Sequence, residues 1–98
     1  MIPEHLTEAQ ANIWREVVAR VGEPATPSAA QHVEAYCVER ARWLDAEAFI
    51  AANGTVLTLR NDKGEVTKIL EAPQLKVAQR SRAEALKLAS RIGLNRHA

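Results

Sequence analysis

The last quarter of the sequence, residues 74–98, concentrates positively charged side chains of the kind that bind phosphate groups. It contains six basic residues and one acidic residue, Glu84, so its net charge is +5 with His97 neutral. The basic residues are Lys76, Arg80, Arg82, Lys87, Arg91 and Arg96. Residues 1–53 reverse the balance, with four basic and eight acidic residues. Such a segregated positive segment predicts contact with a polyanion or with an acidic surface, which could belong to a second copy of the chain.

The other side chains that could carry chemistry lack the neighbours that the chemistry needs. The histidines His5, His32 and His97 are far apart and have no cysteine or carboxylate at ligand spacing, so we expect no metal site. The single cysteine, Cys37, lies in an apolar helical row and is expected to be a buried hydrophobic residue, not a nucleophile. No glycine-rich phosphate-binding loop is present. We therefore expect no enzyme, no cofactor and no small-molecule substrate.

Local signals predict a mainly helical single domain spanning residues 1–98, since a chain of this length makes one domain. The first helix is predicted at 8–21. Thr7 is a good N-cap, Gln10 completes a capping box, and Gly22 occupies the position at which helices commonly end.

The second helix is predicted at 29–52, with Ser28 as its cap and Asn53 and Gly54 as its stop. Its apolar side chains occupy more than one narrow stripe. A second apolar row consists of Tyr36, Trp43 and Ile50. A helix that is apolar around more than half its circumference has more apolar surface than the first helix alone can bury. The sequence therefore predicts an antiparallel helical pair that self-associates, with this row at the oligomer interface.

A short β-hairpin is predicted at 56–69, with strands at 56–60 and 65–69. Because a sheet of only two strands is marginally stable in water, we expect the hairpin to pack against a helix or a neighbouring subunit. A third helix is predicted at 73–92, opened by Pro73. Its predicted buried face comprises Leu75, Ala78, Ala85, Leu86, Ala89 and Ile92.

No apolar run approaches the roughly 20 residues that cross a bilayer. The first residues do not form a secretory signal. We therefore expect a soluble, intracellular protein without membrane contact.

The order of these features resembles a known family. The first feature is a capped helix that contains Trp14. The second is a helix that contains Val33-Glu34-Ala35-Tyr36-Cys37 and Arg42-Trp43 and ends in Asn53-Gly54. A hairpin with Lys63-Gly64 in its turn follows, and then a helix that is opened by Pro73 and closed by Ile92-Gly93-Leu94. In this order the chain is similar to the small subunit of bacteriophage terminases, in the compact helical type of tailed phages.

The resemblance implies a viral genome-packaging protein in the cytoplasm of a bacterial host. Members of the family assemble into rings, recognise the double-stranded phage DNA and regulate a separate large subunit that holds the ATPase and nuclease. The alternative that remains open is an oligomeric helical adaptor that binds protein partners and not DNA.

Overall fold

The computed structural model describes residues 2–94 as three helices and one two-stranded antiparallel sheet. The elements are α1, Glu8–Val21; α2, Pro27–Asn53; β1, Val56–Arg60; β2, Val66–Glu71; and α3, Pro73–Arg91. The molecule is elongated, with extents of 60 × 27 × 19 Å. The mainly helical architecture with a hairpin before the third helix is thus confirmed. No helix within the described range has both the length and the apolar composition that crossing a membrane requires.

Helix α1 begins and ends where the capping signals predict. The Thr7 hydroxyl accepts a hydrogen bond from the Gln10 amide at 3.2 Å, and the Gln10 side chain accepts one from the Thr7 amide at 3.0 Å. These two bonds satisfy amides that have no partner inside the helix. Gly22 ends α1 with φ of 88°, a conformation that residues with a Cβ rarely adopt.

Helix α2 begins two residues before the predicted start, so the prediction that Ser28 is its N-cap is wrong. The cap is Thr26, whose hydroxyl accepts a hydrogen bond from the Ala29 amide at 3.0 Å. Pro27 then occupies the first helical position, where the amide hydrogen that proline lacks is not needed. The helix ends at Asn53, one residue after the predicted end, and Gly54 follows it.

Helix α2 is the central element, and both other helices pack against it. The hydrophobic core forms near the start of α2 and includes Ile13, Trp14, Val17, Val33, Cys37, Ala89 and Leu94. Trp14 and Val17 are each 2% exposed, and Cys37 is fully buried. Because all three helices contribute to this cluster, it fixes their relative positions at one end of the molecule.

Helix α3 runs antiparallel to α2. Gln74 and Val77 at its start line a groove with Phe49 near the end of α2, whereas Ala89 joins the core near the start of α2. The buried residues of α3 form a row that we call the small-residue seam: Ala78, Ser81, Ala85 and Ala89. Placing Leu86 on the buried face was wrong, since this side chain is 45% exposed. Position 86 is turned about 100° from position 85 and leaves the seam.

Strands β1 and β2 are joined by a turn that the Asn61 side chain organises. Its carboxamide oxygen accepts hydrogen bonds from the Lys63 amide at 2.9 Å and the Glu65 amide at 3.0 Å. Glu65 therefore belongs to the turn, and the predicted second strand at 65–69 is displaced to Val66–Glu71. The strand continues to Glu71 because this residue pairs with Val56.

The hairpin projects from the helices with its apolar side chains uncovered. Its exposed large residues are Val56, Leu59, Val66, Ile69 and Leu70. Among the described elements, neither strand packs extensively on a helix. The expected support by a helix of the same chain is therefore not provided.

The chain after α3 folds back into the core. Gly93 has φ of 86°, the Leu94 amide donates to the Ala89 carbonyl at 2.9 Å, and the Gly93 amide donates to the Ser90 carbonyl at 3.3 Å. This pair of bonds is the Schellman arrangement. The Arg20 guanidinium donates to the Leu94 carbonyl at 3.1 Å, which ties the turn to α1.

We predict that Leu94 contributes to stability and Leu86 does not, although both are leucines near the end of α3. Leu94 is 7% exposed, whereas Leu86 is 45% exposed. Leu94→Ala should lower the free energy of unfolding by about 2–5 kcal/mol, and Leu86→Ala by less than about 1 kcal/mol. Urea unfolding followed by circular dichroism measures both. Equal losses would contradict the packing of Leu94 into the core.

Candidate nucleic-acid interface

Four basic side chains of α3 form a single outward-facing row, which we call the outer stripe: Lys76, Arg80, Lys87 and Arg91. All four are exposed. With 3.6 residues per turn they fall within about 60° of one another, roughly opposite the small-residue seam. The stripe is about 22 Å long at 1.5 Å per residue. The small-residue seam thus determines its direction, because packing that face on α2 leaves the opposite face in solvent.

The positive charge of the outer stripe is only weakly compensated. The Lys87 ammonium lies 3.5 Å from the Glu84 carboxylate, and both side chains are largely exposed. An exposed pair of this kind contributes little and is screened by salt. Within residues 2–94, no salt bridge involves Lys76, Arg80 or Arg91. Three of the four cations are therefore available to an external anion.

Arg82, a further basic residue that the sequence singled out for phosphate binding, does not belong to the outer stripe. Arg82 lies beside the seam, with its guanidinium carbon 5.9 Å from the centre of the Trp43 ring. Arg40, a residue of α2, lies over the same ring at 4.3 Å. Arg96 is outside the described residues. The structure therefore brings together Lys76, Arg80, Lys87 and Arg91 and separates Arg82 from them.

The predicted interface row consists of half-buried side chains. Tyr36 packs against the core cluster, and burial raises the pKa of its hydroxyl, an effect that the Arg40 charge partly opposes. The Trp43 indole nitrogen donates to the Glu47 carboxylate at 3.3 Å. Ile50 is likewise neither fully enclosed nor fully exposed. The role of Tyr36, Trp43 and Ile50 between copies stays a prediction.

Two of the three histidines considered for metal binding lie within the described residues. His5 contacts the Glu34 carboxylate of α2 at the surface, and His32, also in α2, is partly buried. His97 lies outside the described residues. Among residues 2–94, no group of three or more histidine, cysteine or acidic side chains could hold a metal ion.

Sequence reasoning missed the contact of Arg40 with Trp43. The signal was present, since residues three apart on a helix are neighbours and an arginine can lie over an indole ring. The contact of Arg82 with the same ring carried no local signal, because it depends on how α3 packs on α2.

We predict that Cys37 is chemically inert in the folded protein. Burial raises the pKa of its thiol to about 12, and the nearby Glu34 carboxylate acts in the same direction. Because the reactive form is the thiolate, labelling by iodoacetamide at pH 8 should be at least roughly 100-fold slower in the native protein than in urea. Mass spectrometry of the labelled chain measures both rates. Rapid labelling of the native protein would contradict the burial of Cys37.

Comparison with known proteins identifies the family. A family model described as phage terminase, small subunit, matches residues 11–98. No curated protein and no solved structure matches the chain. The match covers all three helices and the hairpin except for the first residues of α1, and it confirms the resemblance to this family. The chain belongs to the family of phage terminase small subunits.

Proposed function

We propose that this chain is the non-catalytic, DNA-recognising subunit of a phage packaging machine. Membership of the family supports a role in genome packaging. In this proposal identical copies assemble into a ring in the cytoplasm of the bacterial host and bind double-stranded phage DNA. The ring regulates the large terminase subunit, which supplies the ATPase and nuclease.

The outer stripe is the observation that carries DNA binding. Its cations lie on one exposed helix face over about 22 Å. Duplex DNA presents one negative charge per about 1.7 Å of its axis, so a stretch of duplex as long as the stripe carries roughly a dozen phosphate charges around its circumference. Lysine and arginine contacts to phosphate position a protein on DNA without reading its sequence. We assign the outer stripe to this positioning role.

The hairpin supports self-assembly, because both of its faces carry exposed apolar side chains. The strand register places Leu57, Leu59 and Leu70 on one face, and Val56, Val66 and Ile69 on the other. A two-stranded sheet with exposed apolar side chains and open strand edges is marginal in isolation and prone to pairing. A neighbouring copy that covers the hairpin removes both problems.

We predict that replacing Lys87 and Arg91 by alanine weakens the salt dependence of DNA binding. Each neutralised phosphate contributes about −0.9 to the slope of log affinity against log salt concentration. The double variant should therefore lose about 1.8 units of slope per bound subunit, as measured by fluorescence anisotropy with duplex DNA.

The matched control is Lys63→Ala in the hairpin turn, which removes an exposed cation outside the stripe and should leave the slope unchanged. An unchanged slope in the double variant would contradict the assignment of the stripe. Failure of the wild-type chain to bind DNA at low salt would instead favour the adaptor function.

We predict that Ile69→Lys weakens assembly without unfolding the chain. Ile69 is 66% exposed, the highest value among the large hydrophobic residues of the described chain. A lysine there leaves the free subunit soluble but buries a charge when copies associate. The concentration needed for half-assembly should rise by about tenfold or more in light scattering. Asp62→Lys at the exposed turn is the control, and a monomeric wild-type chain at micromolar concentration would contradict assembly.

A further inference from the structure

Three residues from two helices form an exposed cationic and aromatic group, which we call the Trp43 cluster: Arg40, Trp43 and Arg82. The two guanidinium carbons lie 4.3 Å and 5.9 Å from the ring centre. Arg82 is exposed, and Arg40 and Trp43 are partly exposed. Leu44, the next residue along α2, is 45% exposed.

The two guanidinium groups of the Trp43 cluster are not neutralised by a direct ion pair within the described part of the chain. Neither Arg40 nor Arg82 makes a salt bridge between residues 2 and 94. One acidic group, the Glu47 carboxylate, contacts the cluster through the indole ring, from which it accepts a hydrogen bond. Two guanidinium groups held at one aromatic ring repel each other, and a bound anion relieves that repulsion. Tryptophan and arginine are also the residues that dominate the energetics of protein interfaces.

The cluster and the outer stripe face different directions. Arg80 and Arg82 are two positions apart, so their side chains diverge by about 160° around the axis of α3. A duplex that lies along the outer stripe contacts one side of the helix only. The anion that fits the Trp43 cluster therefore comes from something other than the DNA held by the same subunit.

We infer that the Trp43 cluster binds carboxylate side chains of a second copy of this chain. This inference rests on the proposed self-assembly and specifies one of its contacts. Charge complementarity points to a second copy, because residues 1–53 carry eight acidic and four basic residues. Exposed carboxylates such as Glu8, Glu16 and Asp45 make no salt bridge within the described residues. The planar guanidinium group binds a carboxylate through two parallel hydrogen bonds, which orients the partner.

Helix α3 thereby serves two partners from two sides. The outer stripe contacts DNA, and Arg82 contacts the neighbouring subunit together with Arg40 of α2. Assembly through the cluster covers Trp43 and leaves the outer stripe open. Arg82 is consequently reassigned from DNA binding to subunit association.

The test compares Arg82→Gln with Arg80→Gln, which remove the same group from opposite sides of one helix. Arg82→Gln should raise the concentration for half-assembly at least about tenfold, as measured by sedimentation velocity, and the Arg40→Gln/Arg82→Gln variant should raise it further. The slope of DNA affinity against salt should stay unchanged in Arg82→Gln at concentrations where the protein is assembled. Arg80→Gln should assemble normally, and its slope of log DNA affinity against log salt concentration should be smaller in magnitude by about 0.9.

A second readout uses the wild-type chain and does not depend on the folding of a variant. Trp14 is 2% exposed, whereas Trp43 is partly exposed. Covering Trp43 during assembly should shift the fluorescence emission to the blue as the concentration rises, and Trp43→Phe should abolish the shift. Arg82→Lys should assemble better than Arg82→Gln, because it restores the charge without the planar geometry.

The outcomes separate this inference from the proposed function. Normal assembly in the glutamine double variant, or assembly of the wild-type chain without a Trp43 shift, would overturn the inference and leave self-assembly standing. If the slope of DNA affinity against salt concentration became as small in Arg82→Gln as in Arg80→Gln, the cluster would be shown to bind phosphate. That result would also overturn the inference. A monomeric wild-type chain would overturn both.

Discussion

The close packing of α3 on α2 through small side chains is the constraint on which the other features of this protein depend. Ala78, Ser81, Ala85 and Ala89 are all buried in the small-residue seam. Because their side chains are short, the backbones of the two helices can approach closely, and the rotation of α3 about its axis is fixed. That rotation turns the outer stripe into solvent and brings Arg82 to Trp43.

The molecule has one well-packed end and one uncovered end. At the first end, Trp14, Val17 and Leu94 close a core to which every helix contributes. At the other, the chain leaves α2 at Asn53 and forms a hairpin whose apolar side chains face solvent. Helix α2 connects the two ends over 27 residues, more than the core requires. The uncovered end is the physical basis for proposing that identical copies complete one another.

Local signals predicted what local interactions determine. The bounds of α1 followed from the Thr7 capping box, and the end of α2 followed from Gly54, since each feature depends on residues a few positions apart. The start of α2 was misplaced because Thr26 and Ser28 are both good caps. Pro27 favours Thr26, since proline suits the first helical position, and the hydrogen bond to Ala29 identifies Thr26 as the cap. The excess charge of the last helix was visible in the sequence, although its separation into two sides was not recognised.

Tertiary packing determined the remaining features, and the sequence pattern could not resolve them. Arg82 was grouped with the other cations by charge, yet its position against Trp43 depends on the α2–α3 contact. The exposure of Leu86 likewise follows from a seam made of alanine and serine, which a search for large apolar residues overlooks. The resemblance to the family rested on the order of features along the chain, and the family model that matches residues 11–98 confirms it.

Lysine acetylation footprinting on duplex DNA is the most direct measurement of the central claim that the small-residue seam directs the outer stripe towards DNA. The lysines of the chain are Lys63 and Lys68 in the hairpin region and Lys76 and Lys87 on the stripe. Mass spectrometry with and without DNA should show protection of Lys76 and Lys87 and unchanged modification of Lys63 and Lys68. Protection of the hairpin lysines with full modification of Lys76 and Lys87 would contradict this orientation of α3.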